Sequence, residues 1–241
     1  MSLILFAHNL LELGTVTAAA AAAFPKERLY DRDRGPQWQA DAVAQRDIDV
    51  DLGAGVSLSA SAWALVNHNL TVAVEIRTSS DGVTFGTLVD SATPAGVDPF
   101  LRTFTLATSR YWRIRIPAGA SAASIGELLL GVPVTLPTEP TEIAETVEGN
   151  VRRDESPAGF AWRVKRGAPR RRVEFSWDML PESDYAELLE AFADTEDGAK
   201  ALLVQDPSGV LRWMEFAAPR IRSAVRVRDW RGTAVSFLEA L

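Results

Sequence analysis

The sequence predicts a mainly β protein: a jelly-roll sandwich over residues 1–131, a linker over 132–150, and a small antiparallel β domain with one α-helix over 151–241. Three observations carry this prediction. Apolar and polar residues alternate in short runs separated by turns through the first half, which is the period of half-buried strands. Pro133, Pro137 and Pro140 then interrupt the chain, and proline cannot donate to a sheet ladder. Tyr185, Leu188, Leu189 and Phe192 fall at i, i+3, i+4 and i+7, one apolar stripe on a short helix.

Each element follows in order. The opening apolar run from Met1 to Ala7 lacks a basic lead and meets His8-Asn9 too soon for a signal peptide. Val72, Val74 and Ile76 alternate with Ala73, Glu75 and Arg77 as a strand. Ser79-Ser80-Asp81-Gly82 makes a turn, and Val83-Thr84-Phe85 resumes extended chain. Phe104 and Leu106 bracket Thr105, and Trp112, Ile114 and Ile116 alternate with Arg113 and Arg115. No amphipathic helix is expected before residue 140. Beyond the prolines, Glu139, Glu142, Glu145 and Glu148 precede a basic stretch from Arg152 to Arg172, a shift that marks a boundary. Val173, Phe175 and Trp177 define the next strand, and Pro181 with Glu182 and Asp184 opens the helix. Strands are expected over 201–205, 210–216, 220–228 and 233–238, with Asp206-Pro207-Ser208-Gly209 as a hairpin turn. One helix packed on a curved antiparallel sheet is the natural arrangement.

Composition narrows the function classes. The 241 residues suffice for two cores, and 47% hydrophobic with 24% charged residues is ordinary for a globular chain. A net charge of −7 argues against a general nucleic-acid or anionic-membrane binder. No apolar run is long enough for a spanning helix, so membrane insertion is not expected. The absence of cysteine removes disulfides and thiolate metal sites.

The first half resembles the discoidin, or galactose-binding-like, domains (coagulation-factor C type) over residues 9–131. Asn9 to Ala18 is similar to their opening strand, and Phe24-Pro25 leading to Leu29-Tyr30-Asp31-Arg32-Asp33 and Trp38 resembles their "P-x-N-L-x-D-x-D-x-x-T-x-W" stretch. Ile48-Asp49-Val50-Asp51-Leu52-Gly53 is similar to "I-x-I-D-L-G", and Asn67-His68-Asn69-Leu70 to the "G-H-N-L" turn. Ser79 to Phe85 resembles "S-x-D-G-x-x-W/F", Tyr111 to Ile116 the penultimate strand, and Ile125-Gly126-Glu127-Leu128 with Gly131 the closing one. The resemblance implies carbohydrate-binding loops at one end and a calcium ion near Asp31. The second half resembles the small β-domains of bacteriophage distal and minor tail proteins, through its arginine-rich lead, "V-E-F-S-W-D-x-L", short helix and "D-P-S-G" hairpin. That likeness implies ring assembly.

Candidate residues carry two readings each. Of the two histidines, His68 sits in a turn without a nucleophile elbow, so a structural or surface role outweighs a catalytic one. Asp47, Asp49 and Asp51 share one strand face, and Asp31 and Asp33 sit in a loop; a solvated edge or turn cap outweighs calcium for them. Tyr30, Asp31, Arg32, Asp33, Trp38 and His68 are the candidate carbohydrate contacts, although Trp38 also matches a core position. Arg170, Arg171 and Arg172, near Arg163, Lys165 and Arg166, form the strongest basic cluster, and Arg220, Arg222, Arg226 and Arg228 form a basic stripe. Facing acids such as Glu139 to Glu148 on a neighbouring copy would give head-to-tail contacts. The leading expectation is a non-enzymatic phage tail-tip component in the virion, assembled in the host cytoplasm. It would contact itself in a ring, other tail proteins and host-surface glycans, but not nucleic acid. The alternative is a free carbohydrate-binding adhesin or lectin.

Overall fold

The protein is described from a computed structural model, which covers residues 2–240 apart from 34, 95, 120, 150, 156–160, 166–167 and 228–229. Three antiparallel sheets and the helix Glu182–Asp194 stack in four layers. A five-stranded sheet orders Thr15–Ala18, Arg46–Asp51, Tyr111–Ile116, Val74–Ser79 and Thr87–Ala92. It faces a four-stranded sheet of Trp38–Gln39, Ser124–Gly131, Leu58–His68 and Phe100–Ser109. Ile48, Val50, Trp63, Leu65, Trp112, Ile114, Leu128 and Leu130 fill the space between them. These two layers are the predicted jelly roll.

An eight-stranded sheet covers the other side of the four-stranded one. It runs Val134–Leu136, Leu3–Phe6, Leu202–Gln205, Leu211–Phe216, Trp230–Glu239, Arg170–Pro181 and Glu142–Glu148, with Arg222–Val227 also paired to Trp230–Glu239. Phe6, Ala62, Ala64, Val66, Leu129, Leu203 and Trp213 form the contact between the two sheets. The helix Glu182–Asp194 closes the far face, its Leu188 packing with Phe175, Trp177, Met214 and Phe237. The inner strands of the middle sheet are therefore buried on both faces, while its edge strand Phe100–Ser109 is not. Its strand Ser124–Gly131 is buried at all eight positions, a pattern found where sheets are covered on two sides. A bulge between Ala60 and Ala62 shifts the alternation, so that Ala60 and Trp63 face one core and Ala62 and Ala64 the other.

Three expectations change. Leu3–Phe6 is an inner strand of the eight-stranded sheet, pairing with Val134–Leu136 and Leu202–Gln205, although the sequence placed it with the jelly roll. Its alternation suits that place, since Leu3 and Leu5 pack under the helix and Phe6 packs on the middle sheet. Where an opening strand was expected from Asn9, a helical turn Leu10–Leu13 precedes the strand Thr15–Ala18. Asn9 nucleates it by accepting from the Leu11 N–H at 3.2 Å. The expected linker contributes two strands, Val134–Leu136 and Glu142–Glu148. Residues on either side of the proline run are thus tied into the same sheet.

Candidate functional site

The expected carbohydrate platform is split by burial. Trp38 is fully buried within the jelly-roll core, so its ring presents no face for stacking. Its strand pairs with Ser124 and Ile125, which aims the indole inward. Tyr30 packs against the same core, and burial pushes its hydroxyl pKa up, aided by Glu27. Asp31 and Asp33 are exposed, but both cap their own loop: Asp31 accepts from the Asp33 N–H at 3.0 Å and Asp33 from the Gly35 N–H at 2.9 Å. Asx turns of this kind fix the shape of the loop.

Arg32 is buried, at a positive φ of 63°. Its guanidinium donates to Glu12, to the Ala7 carbonyl and, at 2.9 Å, to the Ala201 carbonyl. It is a clamp between the jelly roll and the eight-stranded sheet, with Lys200 on Glu12 at 3.2 Å beside it. A planar fork with several donors suits this better than a point charge would. Its backbone N–H donates to Oε2 of Glu127, which is fully buried. Among the described residues Glu127 Oε1 has no hydrogen-bond partner, and burial drives this carboxyl well above the usual range despite the nearby Arg32 charge.

The calcium ion that the resemblance implies would take six or more oxygens, several from carboxylates. Among the described residues no group of three or more histidine, cysteine or acidic side chains gathers to hold a metal. Asp31 is committed to its turn, and the Arg32 guanidinium already brings positive charge to this corner.

His68 lies at the same end of the jelly roll and serves the loops. Its Nδ1 accepts from the Leu70 N–H at 3.1 Å, which leaves Nε2 to donate to the Val97 carbonyl at 2.8 Å. Gln37 donates to the Asn67 carbonyl at 2.9 Å, and the Asn67 N–H to Asp98 at 2.6 Å.

Asp47, Asp49 and Asp51 do share a face, and arginines from the neighbouring strand meet them. Arg113 grips Asp49 through two bonds of 2.6 and 2.7 Å, and Arg115 grips Asp47 through 2.9 and 3.1 Å. The cause is register: Asp49 lies opposite Arg113 and Asp47 opposite Arg115, the arrangement that favours cross-strand ion pairs. Arg110 holds Asp51 at 2.7 and 3.0 Å and keeps its carboxyl below the usual range.

The basic cluster likewise finds acids within its own chain. The strand Glu142–Glu148 lies beside Arg170–Pro181, with Glu148 opposite Arg170 and Thr146 opposite Arg172. Arg171 donates to Glu145 at 2.8 Å, Arg172 to Glu148 at 2.5 Å and Arg170 to Glu215 at 2.6 Å. The acids expected on a neighbouring copy are hairpin partners here. Arg222 and Arg226 fall on the strand Arg222–Val227, and Arg228 lies outside the described residues.

The feature that sequence reasoning passed over is a polar groove at the opposite end of the jelly roll. It holds about 750 Å³ and is lined by Ser57, Ser80, Thr84, Thr87, Thr108 and Arg110 among others. Its wall is a rigid turn. Asp81 accepts from the Val83 and Thr84 N–H groups at 2.9 and 2.8 Å and from the Ser79 hydroxyl at 2.7 Å. These bonds hold its carboxyl far below the usual range. Gly82, at φ 74°, packs so close that a Cβ would lie 2.8 Å from the Tyr111 ring, and Arg110 stacks over that ring at 4.4 Å. The Ser79-Ser80-Asp81-Gly82 signal read only as a turn; the serines and threonines around it were the available sign.

The fold defines a class: a discoidin-like jelly roll joined to a second β unit. No protein-family model matches the sequence, and no curated protein matches it. Solved structures similar to it include chitosan-binding module 1 from the chitosanase/glucanase of Paenibacillus sp. IK-5, at 26% identity and a TM-score of 0.43, covering 51% of this chain and 98% of that one. The CBM32 of AlyQ in complex with 4,5-unsaturated mannuronic acid is 26% identical, with a TM-score of 0.40 over 48% of this chain and 92% of that one. A mutant of the Ruminococcus gnavus GH29 fucosidase E1_10125 in complex with fucose is 14% identical with a TM-score of 0.46, over 53% of this chain and 27% of that one.

Proposed function

We propose that the chain is a non-catalytic binding subunit whose jelly roll takes a saccharide. The observation that carries this reading is the groove beside the Ser79–Gly86 turn. Its exposed hydroxyls from Ser57, Ser80, Thr84 and Thr87 surround Arg110 and Asp81. Fixed hydroxyl, carboxylate and guanidinium groups match the paired donors and acceptors of sugar hydroxyls. Bonds within the turn hold the wall in place before any ligand arrives, which lowers the ordering cost of binding.

The test is a glycan array followed by calorimetry with the best binder. Ser80→Ala with Thr87→Val is expected to weaken binding by about tenfold or more, the loss of one or two net hydrogen bonds. His68→Ala, at the opposite end, is expected to leave affinity unchanged. Binding that depends on His68 and ignores the groove would remove this reading.

A second reading, a repeating structural subunit of a phage tail assembly in the virion, is favoured by the strand Glu142–Glu148. It lies at the sheet edge with every residue exposed, including Ile143 and Val147. Exposed edges of this kind accept a further strand. In this reading its partners are its own copies and other tail proteins, and the chain should be recovered from purified virions.

A further inference from the structure

The polar groove does not stop at the jelly roll. Ser57 lines it, and the next two residues, Leu58 and Ser59, line a second groove of about 500 Å³. Register joins the two: Ser59 lies opposite Thr108 on the neighbouring strand, and their hydroxyls meet at 2.7 Å. Thr108 belongs to the first groove and Ser59 to the second, so this hydroxyl pair sits on their shared border. Val132 to Thr135 also line the second groove, where the closing strand of the jelly roll passes into Val134–Leu136 of the eight-stranded sheet. The rest of its lining comes from His8 and from Glu187, Glu190 and Asp194 of the helix Glu182–Asp194.

The chemistry changes along this path. At the jelly-roll end, Arg110 is held by both oxygens of Asp51 at 2.7 and 3.0 Å. Asp81 meets no lysine or arginine among the described residues, and the bonds of its turn keep it ionised. In the second groove, Leu58, Val132, Pro133 and Val134 form an apolar strip beside the carboxylates, which suits the C–H faces of sugar rings. Glu187 and Glu190 make no hydrogen bond or ion pair with any described residue. Burial, with Asp184 and Glu190 close by, pushes the Glu187 carboxyl up. His8 lies 3.5 Å from Asp194, and no lysine or arginine lines this groove among the described residues. Ionised carboxylates only accept hydrogen bonds, and crowding them raises the cost of keeping each one charged. A ligand ammonium group removes that cost, a neutral hydroxyl leaves it in place, and a ligand carboxylate adds to it.

We infer that the two grooves form one site for a linear saccharide chain bearing free amines, which the jelly roll grips at one end and the helix face of the second β unit holds by its ammonium groups. This inference rests on the saccharide reading of the jelly-roll groove and adds to it the length and charge of the ligand. Two weak subsites on one chain reinforce each other, because the second contact forms at a high effective concentration. His8, Glu187, Glu190 and Asp194 all lie outside the jelly-roll core, so the site is complete only where the two units join.

The experiment is calorimetry of the full chain with a glucosamine dimer, a glucosamine hexamer, the N-acetylated hexamer and a galacturonic acid hexamer. The glucosamine hexamer is expected to bind about tenfold or more tightly than the dimer or the N-acetylated hexamer, with an advantage that fades as salt rises. Glu187→Gln with Glu190→Gln should remove that advantage and leave dimer binding unchanged, because the jelly-roll end alone holds the dimer. Glu187→Lys with Glu190→Lys should shift the preference towards the galacturonic acid hexamer, and that gain also demonstrates that the variant is folded. Dimer binding that depends on Ser80 and Thr87, with no gain from length or from the amines, overturns this inference and leaves the saccharide reading standing. Absence of binding for every saccharide removes both. A length advantage that survives both double variants places the second subsite elsewhere and overturns the inference. So does oligolysine that displaces the hexamer and binds more tightly, which would assign the second groove to a basic peptide.

Discussion

The backbone N–H of Arg32 donates to Oε2 of Glu127 at 3.0 Å, while the Arg32 side chain crosses to the carbonyls of Ala7 and Ala201. One residue therefore ties the closing strand of the jelly roll to the ends of two strands in the neighbouring sheet.

Arg32→Ala should leave Glu12 and two carbonyls without their buried donor. Removing one partner of a buried charged pair costs about 3–5 kcal/mol, and urea denaturation should show a loss of that size. Arg32→Lys should recover little, because an ammonium cannot replace a fork that reaches several acceptors.

Glu127 gives a pH signature. Its folded pKa lies above the ordinary glutamate value because of burial, so the folded state holds the proton more tightly than the unfolded one. Its contribution is best at acid pH and is lost as pH rises through the folded value. Glu127→Gln should therefore stabilise the protein at pH 7, because the amide keeps an acceptor for the Arg32 N–H and removes the group that folding must protonate at that pH. The gain should shrink towards zero near the ordinary glutamate pKa of about 4.3, and a thermal melt series would show a pH-independent effect if burial were not the cause.

Trp38→Ala should cost about 3–5 kcal/mol, as for other large buried side chains. Glycan affinity, measured below the variant's melting temperature, should stay at the wild-type value. A selective loss of binding with stability intact would return Trp38 to the ligand site.

The Arg113–Asp49 pair should behave as a surface pair with good geometry. A double-mutant cycle with Arg113→Met and Asp49→Asn is expected to give a coupling of about 1 kcal/mol at low salt. It should shrink in about 1 M salt, where screening is short-ranged. The 3.9 Å contact of Arg113 over Phe85 should survive in Asp49→Asn.

Much of the architecture was legible because alternation reports burial directly. Val74 and Ile76 are buried, as are Trp112, Ile114 and Ile116, and the helix lies where the stripe of Tyr185, Leu188 and Phe192 put it, although Leu189 is exposed and Ala191 is buried in its stead. The middle layer was harder to see. Leu128-Leu129-Leu130 and Ala62-Trp63-Ala64-Leu65-Val66 do not alternate, and such runs mark a strand covered on two faces. The place of Leu3–Phe6 was invisible locally, since both its partners are far along the chain. Site residues divided the same way. The pairing of Asp47 and Asp49 was implicit in the matching alternation of Arg113 and Arg115. The inward turn of Arg32 depends on a positive φ and on carbonyls of distant residues, which no short window of sequence encodes.

The pairing of Ile4 with Gln205 and Leu5 with Val204 sets a clock on synthesis. At about 5–20 residues per second, a ribosome needs about 10–40 s to make the intervening stretch of roughly 200 residues. During that interval the first apolar segment has left the exit tunnel while one of its two strand neighbours does not yet exist. A nascent chain stalled after residue 150 should expose Leu3, Leu5 and Phe6 to chaperones and proteases, and one in which Leu202–Gln205 has emerged should hide them.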